Sequence, residues 1–217
     1  TPLTPNSDPG LLWESGVSPQ VPLGHPIGPI QVHPYLLPNT VQLDLPVLQW
    51  EITQHAKKAR VLTENCLLER LNLDEPAVMG HNGYNNNQVR IGSDNPLLGW
   101  WMKNMWGPLI IENEGGEEVS VGDVLRGIYK YLAQPLTHLD YEKVAETEGD
   151  LGSLDMPGSA WKGGWATAGE AAMVSCDYRR CDVLGSMKKF VGLRPTLQRD
   201  GIWMLYLDLA SGGMVKV

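Results

Sequence analysis

The chain has 217 residues and a net charge of −8, and 42% of its residues are hydrophobic. That apolar share is enough to bury a core, which excludes wholesale disorder. A pI near 5.1 argues against a nucleic-acid or anionic-membrane binder, because both need clustered Lys and Arg.

The length fits one domain with extensions. Three cysteines, Cys66, Cys176 and Cys181, are too few and too oddly numbered for a disulfide framework. The opening Thr1-Pro2-Leu3-Thr4-Pro5 is neither basic nor followed by an apolar run, so the expectation is an intracellular, cytoplasmic protein; a leader removed before Thr1 would leave no trace. No apolar run approaches the roughly 20 residues of a membrane span.

Residues 1–38 hold nine of the 16 prolines, together with Trp13, Leu11, Leu12, Val21 and Ile30. Proline removes backbone donors and fixes φ, which predicts an extended arm. The expected arm contacts are Trp13, Pro22, Pro26, Pro29 and Pro34, made on its own domain or on a neighbouring copy. Residues 39–217 are then read as a single domain.

From Val47, Leu48, Trp50 and Ile52 alternate with Gln49 and Glu51, a half-buried strand. Residues 57–75 are ambiguous; one reading is a short helix from Asn65 to Leu73, in which Leu67, Leu68 and Leu71 have helical spacing. Gln88–Ile91 and Pro108–Glu112 read as strands, with a Gly92-Ser93-Asp94-Asn95-Pro96 turn after the first. Ser120 caps a helix to about Ala133, whose apolar face is Val121, Val124, Leu125, Ile128 and Leu132. Pro135 stops it and Thr137 caps a second helix, with Leu139 among its packing residues. A long Gly-rich and Trp-rich loop covers residues 149–169, and a third helix follows over 169–180. Lys188–Leu193 and Ile202–Leu209 close the chain as strands, the latter apolar on both faces. Strands early and late with helices between predict α+β: a mostly antiparallel sheet packed with about three helices, plus the proline-rich arm.

A series of short stretches carries a resemblance. In order they are His33-Pro34, Leu48-Gln49-Trp50-Glu51-Ile52, Leu73-Asp74-Glu75-Pro76-Ala77, Trp106-Gly107-Pro108-Leu109-Ile110-Ile111, Val119 to Leu125, Arg179 to Gly185, Phe190-Val191-Gly192-Leu193 and Trp203. Together they resemble an uncharacterised domain family of mushroom-forming basidiomycete fungi, a domain of unknown function. The resemblance implies a fungal source and a single domain, and brings no activity, cofactor or catalytic residue. Residues 80–87 and the Gly/Trp loop depart from the pattern as insertions.

Candidate sites each have two readings. His81, Tyr84, Asn85 and Asn86 lie in a polar cluster suited to sugar hydroxyls, or form a solvated turn. Trp100, Trp101, Trp161 and Trp165, with Trp106, suit a glycan or a protein partner, or cap the core and grip the proline arm. Arg179-Arg180-Cys181-Asp182 reads as an anion site or a reactive thiol, or as a helix end where Arg complements the dipole. No phosphate loop, nucleophile elbow or metal spacing occurs, so no catalytic residue, metal or cofactor is expected. The leading expectation is a non-enzymatic interaction or self-assembling module whose partner is itself as a homo-oligomer or another protein. A carbohydrate or small-ligand binder is the alternative, and an enzyme with a site invisible in sequence the second.

Overall fold

The computed structural model describes residues 30–40, 45–79, 87–113, 115–140, 143 and 178–212. Within them the fold is α+β. Nine strands form three sheets, and all pairings but one are antiparallel. β1 (Gln31–Val32) pairs with β5 (Val78–Met79). β2 (Leu48–Gln49), β3 (Arg60–Leu62) and β4 (Leu68–Arg70) make a meander. The main sheet has the order β7-β6-β9-β8, built from β6 (Gln88–Gly92), β7 (Leu109–Glu112), β8 (Met187–Leu197) and β9 (Trp203–Ser211). Its one parallel pair is β6 with β9.

Backbone bonds weld the meander to the main sheet. Ile52 N–H donates to the Lys188 carbonyl at 2.9 Å, and Phe190 N–H to the Trp50 carbonyl at 3.0 Å. Trp50, with no exposed surface, packs 5.8 Å from the Phe190 ring and donates its indole N–H to the Gln54 carbonyl. The expected alternation after Val47 holds for Leu48, Trp50 and Ile52, but Gln49 is buried as well, because the strand lies between β3 and the rest of the core.

Helix α1 (Pro96–Trp101) begins at the last residue of the expected turn. Asn95 Oδ1 accepts from the N–H groups of Leu97 and Leu98 at 3.0 and 3.1 Å, and Pro96 sits where a missing N–H costs nothing. Helix α2 (Val121–Leu132) carries the full capping box: Ser120 Oγ accepts from Asp123 N–H, and Asp123 Oδ2 accepts from Ser120 N–H. Its apolar face is fully buried, and Gly127 lets it close on β7, since a Cβ there would lie 2.6 Å from Ile111 Cδ1. Thr137 does cap a third helix, described over 138–140 and at 143, but Leu139 is 64% exposed rather than packed.

Two expectations are corrected. Residues 65–73 are not helical: Cys66 turns at φ 58° and Thr63 N–H donates to the Leu67 carbonyl, closing a β3–β4 hairpin that leaves Leu67 and Leu68 exposed. The expected third helix does not reach Arg180. Residues 169–177 lie outside the described residues, Arg179 is extended, and Arg180–Leu184 form a 3-10 turn capped by Asp182.

Residues 30–38 pack on the chain's own core. Ile30, Val32 and Leu36 are buried, and His33 N–H donates to the Ala77 carbonyl. Pro34 opens a 3-10 turn, Pro34–Leu36, and is itself exposed. The chain then crosses β8 at Gly192, where a Cβ would stand 2.4 Å from the Pro38 nitrogen. No helix among the described residues is long and apolar enough to cross a membrane.

Candidate functional site

The most unusual chemistry lies where α1, the C-terminal end of α2 and the 180–184 turn meet. Past Trp101 the helix widens into a π turn, Met102–Trp106. In an α-helix, residues five apart point about 140° away from each other. The i→i+5 bonding of a π turn brings them back onto one face. Trp106 therefore stacks on Trp101, with centroids 4.8 Å apart and planes 15° apart. Trp100 meets Trp101 edge-on at 5.2 Å, which makes a ladder of three indoles.

The ladder is tied down at its inner end. Trp106 donates its indole N–H to Asp140 Oδ1 at 2.9 Å. Asp140, only 2% exposed, uses Oδ2 to accept from the Thr137 N–H and hydroxyl. Tyr131 on α2 stands edge-on to Trp106 and donates its hydroxyl to the Gly107 carbonyl at 2.6 Å. Burial pushes that phenol up to about 12, against the opposing effect of the Arg180 charge.

Arg180 completes the cluster. Its guanidinium carbon lies 4.9 Å from the Trp106 centroid and 4.7 Å from that of Tyr131. The backbone holds it there: Arg180 N–H donates to the Gln134 carbonyl, and Leu136 N–H to the Tyr178 carbonyl. Nε is buried without a hydrogen-bond partner, while the residue as a whole is half-buried. Burial pulls its pKa down, and the nearby Tyr131 and Asp140 oppose that. The expected dipole-complementing arginine at a helix end is therefore a cation held against two aromatic faces, a contact of about 0.5–2 kcal/mol.

The reactive-thiol reading fails on burial. Cys181 is 5% exposed, and burial followed by the Asp182 charge pushes its thiol up, away from thiolate. His33 is likewise occupied: Nδ1 accepts from Tyr35 N–H and Nε2 donates to Glu75 Oε2 at 2.6 Å, pinning the start of the fold. Hydrogen bonds from His33 and then Asn72 hold the Glu75 carboxyl below its ordinary value.

Of the expected ligand residues, Trp100 is 39% exposed, whereas Trp101 is 3% exposed and offers no face to a ligand. His81, Tyr84, Asn85, Asn86, Trp161 and Trp165 lie outside the described residues, as do Trp13, Pro22, Pro26 and Pro29. Tyr131, Asp140 and Gly107 were not anticipated. The Thr137-x-x-Asp140 spacing was a readable capping signal, but the π turn that joins Trp101 to Trp106 had none. Among the described residues no group of three or more His, Cys, Asp or Glu could hold a metal ion.

The chain belongs to the DUF6699 family, a family of unknown function, whose model matches residues 48–201. No curated protein and no solved structure matches it.

Proposed function

We propose that this domain is a non-enzymatic protein-interaction module whose contact face is the outer end of the indole ladder. One observation carries the reading. A large indole, Trp100, stands 39% exposed at the outer end of a rigid stack whose inner end is held by the Arg180 guanidinium, Tyr131 and Asp140. Trp is among the residue types that dominate protein–protein contacts, because it combines a broad apolar face with a directional donor. The neighbouring titratable groups are already spent: Asp140 on Thr137 and Trp106, Tyr131 on Gly107, and Cys181 as a buried thiol.

The test is the reactivity of Trp100 toward an indole-selective benzyl bromide in the full-length chain, read by peptide mapping against free N-acetyltryptophanamide. A covered face labels several-fold more slowly than a side chain of 39% exposure should. Labelling of Trp100 at the rate of an open indole at every protein concentration removes the proposal. The carbohydrate alternative gains no comparable support, because Trp101 is buried.

A further inference from the structure

The free edge of the β2–β3–β4 meander forms a second surface, on different elements from the indole ladder. β4 is the outermost strand, and all three of its residues are exposed. Its neighbours fix which way its backbone groups point. Thr63 N–H donates to the Leu67 carbonyl, so these two residues face each other. Alternation turns Val61 and Glu69 toward each other as well, and Leu62 toward β2, where its N–H reaches the Val47 carbonyl. The N–H and carbonyl groups of Leu68 and Arg70 are therefore directed to the open side.

The side chains beside that edge carry one sign of charge. Arg60 stands directly opposite Arg70 and Leu62 opposite Leu68, so all four share one face of the meander. Arg60 and Arg70 form a non-hydrogen-bonded pair, the kind in which side chains stand closest, and like charges there oppose pairing. Arg60 Nη1 donates to the Lys57 and Ala59 carbonyls at 2.9 and 2.7 Å, which orients the guanidinium without neutralising it. Lys57 and Lys58 are exposed on the preceding 3-10 turn, Ala56–Lys58. The ion pairs among the described residues join His33 to Glu75, Arg126 to Asp123, Lys188 to Asp182, and Arg194 to Asp94 and Asp208; none takes up these four cations. Glu69 precedes Arg70 but belongs to the other face of β4.

Charge decides what can pair with this edge. A second copy of β4, laid antiparallel across a two-fold axis, can centre on Leu68, Glu69 or Arg70. Centring on Glu69 or Arg70 sets that charge against its own copy. Centring on Leu68 sets Arg70 against Cys66, whose φ of 58° takes it out of the strand. The edge thus rejects itself, while a strand that brings a carboxylate to Arg70 relieves the Arg60–Arg70 repulsion.

We propose that an extended acidic segment of a partner protein adds to β4 as a fourth, antiparallel strand. Its backbone bonds to Leu68 and Arg70, one carboxylate lies beside Arg60 and Arg70, and an apolar side chain two residues later covers Leu68, which is 37% exposed. This surface stands or falls independently of the indole ladder.

The experiment titrates the full-length, ¹⁵N-labelled chain with acetyl-Thr-Glu-Thr-Val-Thr-amide and reads the Leu68 and Arg70 amides. Both should shift saturably, with a Kd on the order of 1 mM or tighter. Replacing the peptide's Glu by Gln, or raising salt from about 50 to about 500 mM, should weaken binding about fivefold or more. Methylating the Glu and Val nitrogens, which face β4, should abolish binding, and methylating the central Thr nitrogen, which faces away, should not. Arg70→Glu, an exposed change that should leave the core amides in place, should switch preference to the peptide carrying Lys for Glu. The absence of a saturable shift at either amide overturns the proposal. Equal affinity for the Glu and Gln peptides, or tolerance of the methylated Glu and Val, overturns it too. Inorganic phosphate that reproduces the same shifts assigns the cations to a small anion and removes strand addition. Shifts of these amides with protein concentration alone assign the edge to a second copy and overturn the acidic partner.

Discussion

Replacing Gly192 with alanine tests whether residues 30–38 are part of the fold. The new Cβ would meet the Pro38 nitrogen at 2.4 Å and its Cα and Cδ at 2.7 Å, where ordinary contact begins at 3.4 Å. The opposing atoms are backbone and a rigid ring, so no rotamer change relieves them, and the cost should sit near the top of the overpacking range, about 3 kcal/mol. Alanine returns up to about 1 kcal/mol by restricting the unfolded chain. The net loss is about 2 kcal/mol, or a fall in Tm of about 4–8 °C for a domain of this size. Urea unfolding should show a lower midpoint with little change in slope. Gly115→Ala is the control, because the nearest atom to its Cβ is a side-chain oxygen at 3.4 Å. Leu36, fully buried, should cost about 2–5 kcal/mol as alanine in the wild-type background. In the Gly192→Ala background it should cost less by about 1 kcal/mol or more, since both changes loosen the same segment. A Gly192→Ala chain that melts with the wild type, or strict additivity with Leu36→Ala, refutes the packing of Pro38 on β8.

Tyr131→Phe should leave the tyrosinate absorbance step between about pH 9 and 11 unchanged, because Tyr131 itself ionises only at about 12; a step smaller by one tyrosine contradicts its burial. Burial opposes ionisation of Asp123, but hydrogen bonds from Ser120 and Arg126 outweigh it, so its folded pKa is depressed. Its contribution is therefore full above the ordinary value of about 3.9 and is lost as pH falls through the folded pKa. The stability gap between wild type and Asp123→Asn should close in that window, and a gap independent of pH rejects the capping role. Asp140→Ala leaves the Trp106 indole N–H and the Thr137 cap without acceptors and should cost about 2–3 kcal/mol in denaturant unfolding. A loss below about 0.5 kcal/mol would show that the ladder is not held through this carboxylate.

Much of the fold was legible where local chemistry and long-range packing agree. Helix α2 has its cap, its apolar stripe and its terminating proline in one run of sequence, and β8 and β9 carry long apolar patterns. Residues 65–73 are ambiguous in sequence because helical spacing of three leucines says nothing about whether a core waits for them; a left-handed turn at Cys66 makes a hairpin. The site was half visible. The excess of tryptophan pointed to residues 100–106, yet which indole is buried depends on a π turn, and a single widened turn has no composition signal. Arg180 lies 49 residues beyond Tyr131 in the chain, and only tertiary closure of 134–136 on 178–180 brings it between the rings.

The place of β9 in the main sheet has a consequence for how the protein is made. It is the last described strand, and it sits inside the sheet between β6 and β8. Ser93, just after β6, donates its hydroxyl to the Leu207 carbonyl across 114 residues. Closing a loop of that length costs about 4 kcal/mol before any contact repays it, so this pairing should form late and slowly. Until then β6 and β7 form a two-stranded ribbon with an open edge, the kind of template that recruits other chains. A nascent or truncated chain that ends before Trp203 would display that edge, and its yield should depend on chaperone supply more steeply than that of the intact chain.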